Sequence, residues 1–390
     1  MKKVLIYNGQ LFMGGIEKNV IKIARGLSQR DDVKVEILIK ENDPVKNVLV
    51  KEIPSNVDYK FIKTEEMVSL REKASKNKTN FLWKIIYAYL RWYERIYMKK
   101  WLKKFFQERK DIDIVFDFDM SLGKYLDVIP KPVVGRGSFT LTTKIGKKKK
   151  AFVKRLKGYN KIIVICDEMK EEVKKYFSFA SDKTFRIYNP LDIEDILKKS
   201  EDTTGLTLEE KEMLKEDYLV GVSRLVGGKG RPDLVEIFSK LKKEGIKDKL
   251  YLLGEGNERP VLEKMIKDFQ LEDQVYLLGQ KKNPYVWMKN AKMLVHTSYG
   301  EGFCNVLVES MACGTPAMAY GCPIGPTELL GNGKYGWIVK TGDKEQFTKT
   351  LIEVLKSPNK IKEKKEVIEK RAKEFLLSNI VEEFIKIIKM

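Results

Sequence analysis

A chain of 390 residues, 43% hydrophobic and 10% aromatic, is long enough for two domains with separate cores and too apolar to be disordered. Charged residues make up 33% and leave a net charge of +20, which favours anionic partners: a membrane surface, a nucleic acid or a polyanionic acceptor. Four cysteines (Cys166, Cys304, Cys313, Cys322) without C-x-x-C spacing and a single histidine argue against a zinc site and against a disulfide framework.

The excess charge is N-terminal. Residues 1–190 hold 42 Lys and Arg against 23 Asp and Glu, whereas 191–390 hold 33 against 32. In chain order, Val4–Tyr7 reads as a buried strand, 9–15 as a glycine-marked loop, Glu17–Leu27 as an amphipathic helix and Val33–Ile39 as the next strand. Met1–Gly9 is too short for the apolar core of a secretory signal. No run of about eighteen uncharged apolar residues follows, so the expected location is the cytosol. Strands at Ile112–Phe118, Val133–Val134 and Lys161–Cys166, with a helix over Asp167–Phe177, continue the alternation of a parallel sheet covered by helices.

Asn189-Pro190-Leu191 is a breaker suited to a domain boundary, and the polar stretch Lys198–Asp217 reads as a surface excursion. A second series then begins, with strands over Leu219–Val222, Lys249–Leu253, Val275–Leu278, Ala291–His296, Thr315–Ala319 and Gly336–Val339, and with helices such as Arg231–Lys243 and Arg259–Phe269. The expected fold is α/β: two Rossmann-like, doubly wound parallel-sheet domains facing a cleft, over 1–189 and 190–370. A last helix in 371–390 has an apolar face that must pack, and a return to the first domain is one option.

Chemistry concentrates in Tyr299–Pro316, where a glycine-marked turn runs into an apolar helical segment. A loop that opens a helix presents backbone N–H groups and the positive end of the helix dipole, a place for a phosphate. Glu301 stands in the turn and Glu309 about two turns inside the helix, so the pair can accept hydrogen bonds from hydroxyls on either side of a diphosphate. The alternative is an ordinary loop with a surface glutamate. Upstream, Gly221–Pro232 places Arg224 and Lys229 on a glycine-rich turn between strand and helix. A planar fork and a point charge both suit a diphosphate, although charged surface turns look the same. Gly254-Glu255-Gly256 makes a tight turn at the next strand end, and Leu278–Tyr285, with Gln280, offers backbone edges to a flat base.

In the order Ser223-Arg224 through Lys229-Gly230, Gly254–Gly256, Glu301 to Glu309, Ala312–Pro316 and Gly325–Leu330, the second half resembles the donor domain of the retaining glycosyltransferases of family four, which have the B-type fold. The first half resembles it more loosely, through Gly14–Lys18. The resemblance implies a nucleotide diphosphate sugar, expected to be a UDP-sugar, as donor substrate, with no metal ion and no other cofactor. Arg224 and Lys229 would neutralise the leaving diphosphate, helped by backbone N–H groups along Gly302, Phe303, Cys304 and Asn305. Glu309 would hold the ribose and Glu301 the transferred sugar. Gly14 and Gly15 would let the first loop approach the phosphates, so that catalysis requires closure of the two halves.

Two departures stand out. Many family members carry a histidine in the N-terminal cleft, but His296, the only histidine, lies in the second half and reads as a structural residue ending a buried strand. Arg136 or Ser138, in Gly135–Phe139, would face the acceptor instead. Asp117-Phe118-Asp119 spells D-x-D, a metal-binding pattern in transferases of the A type. At the end of a strand in the acceptor half, Asp119 reads instead as a ligand for an acceptor hydroxyl, or as half of a chance acid pair.

Segment 80–110 is least like the family. Its stretch Phe81–Phe106 mixes Trp and Tyr with seven Lys and Arg against one Glu. It reads as a helix at the headgroup level of an anionic membrane, or as a long helix packed on the first sheet, the two being compatible on opposite faces. Lys147–Lys150 and the basic residues after it add charge, yet no nucleic-acid recognition module accompanies them. The resulting expectation is a cytoplasmic enzyme, peripheral on the inner face of the membrane. It would move a hexose or N-acetylhexosamine to a lipid-linked or envelope glycan, as in polysaccharide, lipopolysaccharide or capsule synthesis. A membrane-docked nucleotide-sugar-binding protein without transfer activity, and a UDP-sugar epimerase on the same fold, are the alternatives.

Overall fold

A computed structural model describes residues 1–138 and 149–390, so part of the Lys147–Lys150 run lies outside the described residues. The chain forms two compact units, Met1–Pro190 with Leu377–Met390, and Leu191–Leu376.

The first unit is built on seven parallel strands: β1 (Lys2–Asn8), β2 (Val33–Ile39), β3 (Asp58–Phe61), β4 (Ile114–Asp117), β5 (Val133–Gly137), β6 (Lys161–Val164) and β7 (Thr184–Arg186). Their order is β3-β2-β1-β4-β5-β6-β7. Val4 pairs with Val35 on one side and Ile114 on the other, and the continuous apolar run Val4–Tyr7 is fully buried because helices cover both faces. Strands β3 and β7 escape the sequence pattern. Asp58–Phe61 is an exposed edge with only a partly buried Phe61, and Thr184–Arg186 is three residues long, so neither shows an apolar period.

Helix Leu377–Lys389 completes this unit. Gly26, on helix Gly15–Ser28, has no side chain where a β-carbon would meet Val381 Cγ2 at 2.5 Å, which lets the two helices approach. Phe384 then stands 5.3 Å from the ring of Phe116 and stacks on Phe118 at 6.1 Å. Burying each such large apolar side chain is worth about 1.5–3 kcal/mol.

Phe81–Glu108 is one 28-residue helix, about 42 Å long at 1.5 Å per residue. The Asn80 side chain caps it by accepting from the Leu82 N–H. Trp83, Ile86, Tyr87 and Leu90 form a half-buried side that continues into buried Glu94 and Met98, so the helix has two sides and its packing deepens toward its end. Met98, Leu102, Phe105 and Phe106 are buried in the later half, while Phe81, Leu82, Ile85, Tyr89 and Trp92 are exposed in the earlier half. No helix of the described residues is long and apolar enough to cross a membrane.

The second unit has six parallel strands: β8 (Tyr218–Val222), β9 (Lys249–Leu253), β10 (Val275–Gly279), β11 (Met293–His296), β12 (Ala317–Tyr320) and β13 (Gly336–Val339), in the order β10-β9-β8-β11-β12-β13. Leu219, Leu250, Met293 and Val295 from the sheet pack with Leu234, Phe238 and Leu241 of helix Arg231–Lys243 in one core. The segment read as a surface excursion contains the end of helix Ile193–Glu201 and all of helix Leu208–Met213; Thr207 and Glu210 close the second with a reciprocal capping box. In both sheets the strand order reverses once, between β1 and β4 and between β8 and β11. Diverging loops at the carboxyl ends of such a strand pair leave a crevice for a ligand.

Candidate active site

At the β8/β11 reversal, the loop after β8 is fastened to the loop after β11. Thr297 Oγ1 donates to Gly230 O at 2.7 Å, Ser298 Oγ donates to Gly228 O at 3.2 Å, and the Tyr299 N–H reaches the same Gly228 carbonyl at 2.8 Å. Gly228 and Gly230 have φ of 86° and 61°, and a β-carbon on Gly230 would collide with the Thr297 carbonyl. Lys229 therefore sits between two backbone positions that favour glycine, and this sharp reversal turns its ammonium inward.

The target of that ammonium is Glu301. Lys229 Nζ lies 2.7 Å from Glu301 Oε1, and His296 Nε2 reaches the same oxygen at 2.9 Å. Burial alone would push the Glu301 carboxyl up, but the hydrogen bond from His296 and the Lys229 ammonium bring it down to about 2. The His296 ring, 1% exposed, is held below its ordinary value by desolvation, against the opposing pull of Glu301. A carboxylate can only accept, so Nε2 carries the proton and neutral His296 donates it to Glu301. Its Nδ1 is buried without a partner among the described residues. His296 does end a buried strand, and its Nε2 also makes it part of the site.

Arg231 was not singled out by its sequence neighbourhood. It is fully buried, its Nε donates to Ser223 Oγ at 2.8 Å, and both terminal nitrogens lack partners among the described residues. Desolvation lowers it to about 10, with Glu301 the leading opposing charge. The signal available in the sequence was the Gly230-Arg231-Pro232 start of the helix after β8, where a first-turn arginine is unfavourably placed against the helix dipole unless something else uses it.

Other donor-side candidates spread around this centre. Arg224 is exposed and, among the described residues, no carboxylate lies within ion-pair distance of it. Gly254 has φ of 142°, and a β-carbon there would overlap the Ser223 carbonyl, so its bareness serves the contact between the two turns. Gln280 is exposed just past β10. Gly302 is half-buried, and Phe303 and Cys304 are buried. Cys304 takes a left-handed φ of 69° and gives no side-chain cap to helix Asn305–Ala312. The neighbouring turn is strained as well, with Ile324 at φ 69°. Glu309 projects from that helix near Tyr285 and Cys313, whose protons its charge helps to hold.

His296, Glu301 and Cys304 bring potential metal-ligand atoms within 4.8 Å of one another. They fit a cation poorly, because Lys229 already engages the Glu301 oxygen and burial pushes the Cys304 thiol well up, away from the thiolate a metal needs.

The acceptor-side candidates lie in the first unit. Asp119 Oδ2 accepts from the Gly9 N–H at 3.1 Å and Oδ1 from the Ser121 N–H at 3.0 Å. Asp117 points inward and accepts from Leu122 N–H and Tyr159 OH at 2.8 and 2.7 Å; desolvation, reinforced by Asp119, pushes its carboxyl well up. Arg136 is fully buried, donates to Asn189 Oδ1 at 2.6 Å and Ser138 Oγ at 3.0 Å, and lies over Phe118. Desolvation lowers it to about 9. It offers no surface to a ligand, whereas Asp119 and Ser138 remain half-buried. Gly14 precedes helix Gly15–Ser28, and Gly15 opens it with empty space where a β-carbon would stand.

Each unit is thus a Rossmann-like parallel sheet with a strand reversal, and the whole chain resembles solved structures of the B-type glycosyltransferase fold. Anabaena HepE in complex with UDP and glucose matches at a TM-score of 0.72, with 19% identity over 100% of both chains. Residues 208–375 match the family model of the glycosyl transferases group 1, so the segment carrying the site belongs to that family. A Campylobacter jejuni protein named N-acetylgalactosamine-N,N'-diacetylbacillosaminyl-diphospho-undecaprenol 4-alpha-N-acetylgalactosaminyltransferase is 31% identical over 205 residues, 53% of each chain. A Staphylococcus aureus poly(ribitol-phosphate) alpha-N-acetylglucosaminyltransferase is 23% identical over 71% of this chain and 56% of its own. The matches span about half the length of the curated relatives.

Proposed function

We propose that this chain is a retaining, metal-independent glycosyltransferase that moves a hexose or N-acetylhexosamine from a UDP-sugar to a lipid-linked or envelope glycan. The observation that carries the reading is the convergence of Lys229 and His296 on one oxygen of Glu301 at the strand reversal of the second sheet. It is supported by the membership of residues 208–375 in the group 1 family and by the UDP and glucose held by HepE, a protein of like fold.

In this reading Lys229 and Arg224 neutralise the diphosphate, and the start of helix Asn305–Ala312 adds its dipole. Glu309 accepts from the ribose hydroxyls, and Glu301, kept ionised, holds the sugar and stabilises positive charge growing at the anomeric carbon. The acceptor oxygen forms its bond to that carbon on the face the diphosphate leaves. The bond from carbon to phosphate oxygen breaks with both electrons passing to UDP, and the acceptor proton passes to that phosphate oxygen. Asp119 binds an acceptor hydroxyl, and the exposed row from Phe81 to Trp92, with nearby Lys and Arg, attaches the enzyme to an anionic membrane.

A panel of UDP-sugars and GDP-mannose screened by thermal shift tests the donor. A ligand at about 100 times its Kd adds about 2.7 kcal/mol of stability, and UDP release should depend on added acceptor. Absence of a shift with every nucleotide sugar would overturn the reading.

A further inference from the structure

We propose that a cationic basin in the first unit binds a phosphate or diphosphate group carried by the acceptor. The proposal rests on the transferase reading above and adds the chemistry of its second substrate.

The basin is a cavity of about 1080 Å³ between the long helix, the turn after β4 and helix Lys149–Gly158, lined by nine Lys and Arg against three carboxylates. Every one of those carboxylates is already engaged. Arg71 clasps Glu41 with two hydrogen bonds of 2.7 and 2.6 Å, Lys63 lies 2.8 Å from Glu94, and Lys99 lies 2.5 Å from Asp127. These pairs hold the floor and one edge. Arg91, Arg95, Lys124, Lys154 and Arg155 are left without a carboxylate within 4 Å among the described residues.

Those surplus cations crowd one another. The Lys124 ammonium is depressed first by desolvation and then by Arg155, Arg91, Lys40 and Arg95, all of the same sign. A concave wall of one charge concentrates potential and attracts a compact anion, and three arginine forks suit the oxygens of a phosphate. The inner end of the basin meets Asp119: the point a Gly9 β-carbon would occupy lies 3.7 Å from Lys40 Nζ and 2.5 Å from Asp119 Oδ2. Its outer rim includes Trp92, 59% exposed, the last of the bare aromatic row. A phosphate held by the arginines would leave an attached sugar toward Asp119 and an attached chain toward the apolar row.

The test is calorimetric titration of inorganic pyrophosphate into the full chain with the second unit saturated by UDP. Pyrophosphate should still bind, and the double variant Arg95→Glu/Lys124→Glu should weaken it by at least about tenfold while UDP affinity is unchanged. Arg91→Gln/Arg155→Gln is a second, milder pair with the same expected direction. Absence of pyrophosphate binding beside UDP, or binding unaltered in both pairs, would overturn the basin. Failure of UDP to bind wild type would instead strike the donor reading, and Lys229→Ala then keeps the second unit from contributing to the pyrophosphate signal. A polyprenyl diphosphate in phosphatidylcholine vesicles forms the other arm: capture lost in the charge-reversed variant identifies a lipid-borne phosphate, and response to pyrophosphate alone identifies a soluble one.

Discussion

His296 donates its Nε2–H to Glu301 at 2.9 Å from inside a pocket that leaves the ring 1% exposed. A buried donor on one side and the Lys229 ammonium on the other hold the carboxylate ionised in one orientation before any substrate arrives, and such preorganisation supplies most of the stabilisation of developing charge. Glu301→Gln keeps the shape and removes the charge. It should lower kcat by about 10² to 10³ with UDP affinity nearly unchanged, whereas Glu309→Ala should weaken UDP binding first. Steady-state rates beside calorimetry separate the two.

The same pair makes stability depend on acidity. His296 is depressed when folded, so the unfolded state binds its proton more readily and stability falls as pH drops below the ordinary histidine value near 6.5. Glu301, at about 2 when folded, contributes stability that is whole above its unfolded value near 4.5 and is lost as pH falls from there toward 2. Urea midpoints from pH 8 to 3 should decline in two stages, and His296→Asn should remove the first. A flat profile between pH 7 and 5 would contradict the assignment.

Arg231 should trade stability for binding. Its terminal nitrogens are buried without partners, and replacing such a charge with an apolar side chain of similar volume is often stabilising by about 1–4 kcal/mol. Arg231→Met should therefore raise the midpoint of the ligand-free chain and weaken UDP binding. Lower stability together with unaltered UDP affinity would show that the guanidinium only fills space.

Gly254→Ala places a β-carbon against the Ser223 carbonyl at a left-handed backbone position. Backbone cannot give way as a flexible side chain can, so the loss should exceed about 1 kcal/mol, and the donor Kd should rise because the turn bearing Arg224 is displaced. Denaturant unfolding and UDP titration read the two effects.

Trp92→Ala combined with Phe81→Ala should reduce flotation with phosphatidylglycerol vesicles and leave UDP affinity unchanged, since both rings are exposed on the helix that begins at Phe81. Equal flotation of the variant and the wild type would remove membrane attachment from the reading.

The sheets were legible because parallel strands covered on both faces must be continuously apolar, as at Val4–Tyr7 and Leu219–Val222. Edge strands β3 and β7 were not, since an exposed or three-residue strand carries no such run. Glu301 and Lys229 stood out as charges on glycine-marked turns. The partnership of Glu301 with His296 did not, because four residues separate them and only the folded turn brings Nε2 to the carboxylate. Arg231 was hidden for a related reason: burial, which makes it unusual, is a property of the helix's surroundings. The two-sided helix expected over 81–108 is present, with Trp83, Ile86, Tyr87 and Leu90 half-buried and Phe81, Ile85, Tyr89 and Trp92 exposed; its composition did not show that the packed side deepens toward the end of the helix.

Since Phe116 and Phe118 pack on Phe384, which follows the whole second unit in the chain, the first unit cannot finish assembling when residue 190 has been made. A ribosome must translate the whole intervening unit before helix Leu377–Lys389 emerges, leaving an unfinished apolar seam exposed to chaperones and proteases in the meantime. Emergence of helix Leu377–Lys389, more than completion of residue 190, is then the event that commits the N-terminal sheet to its native state.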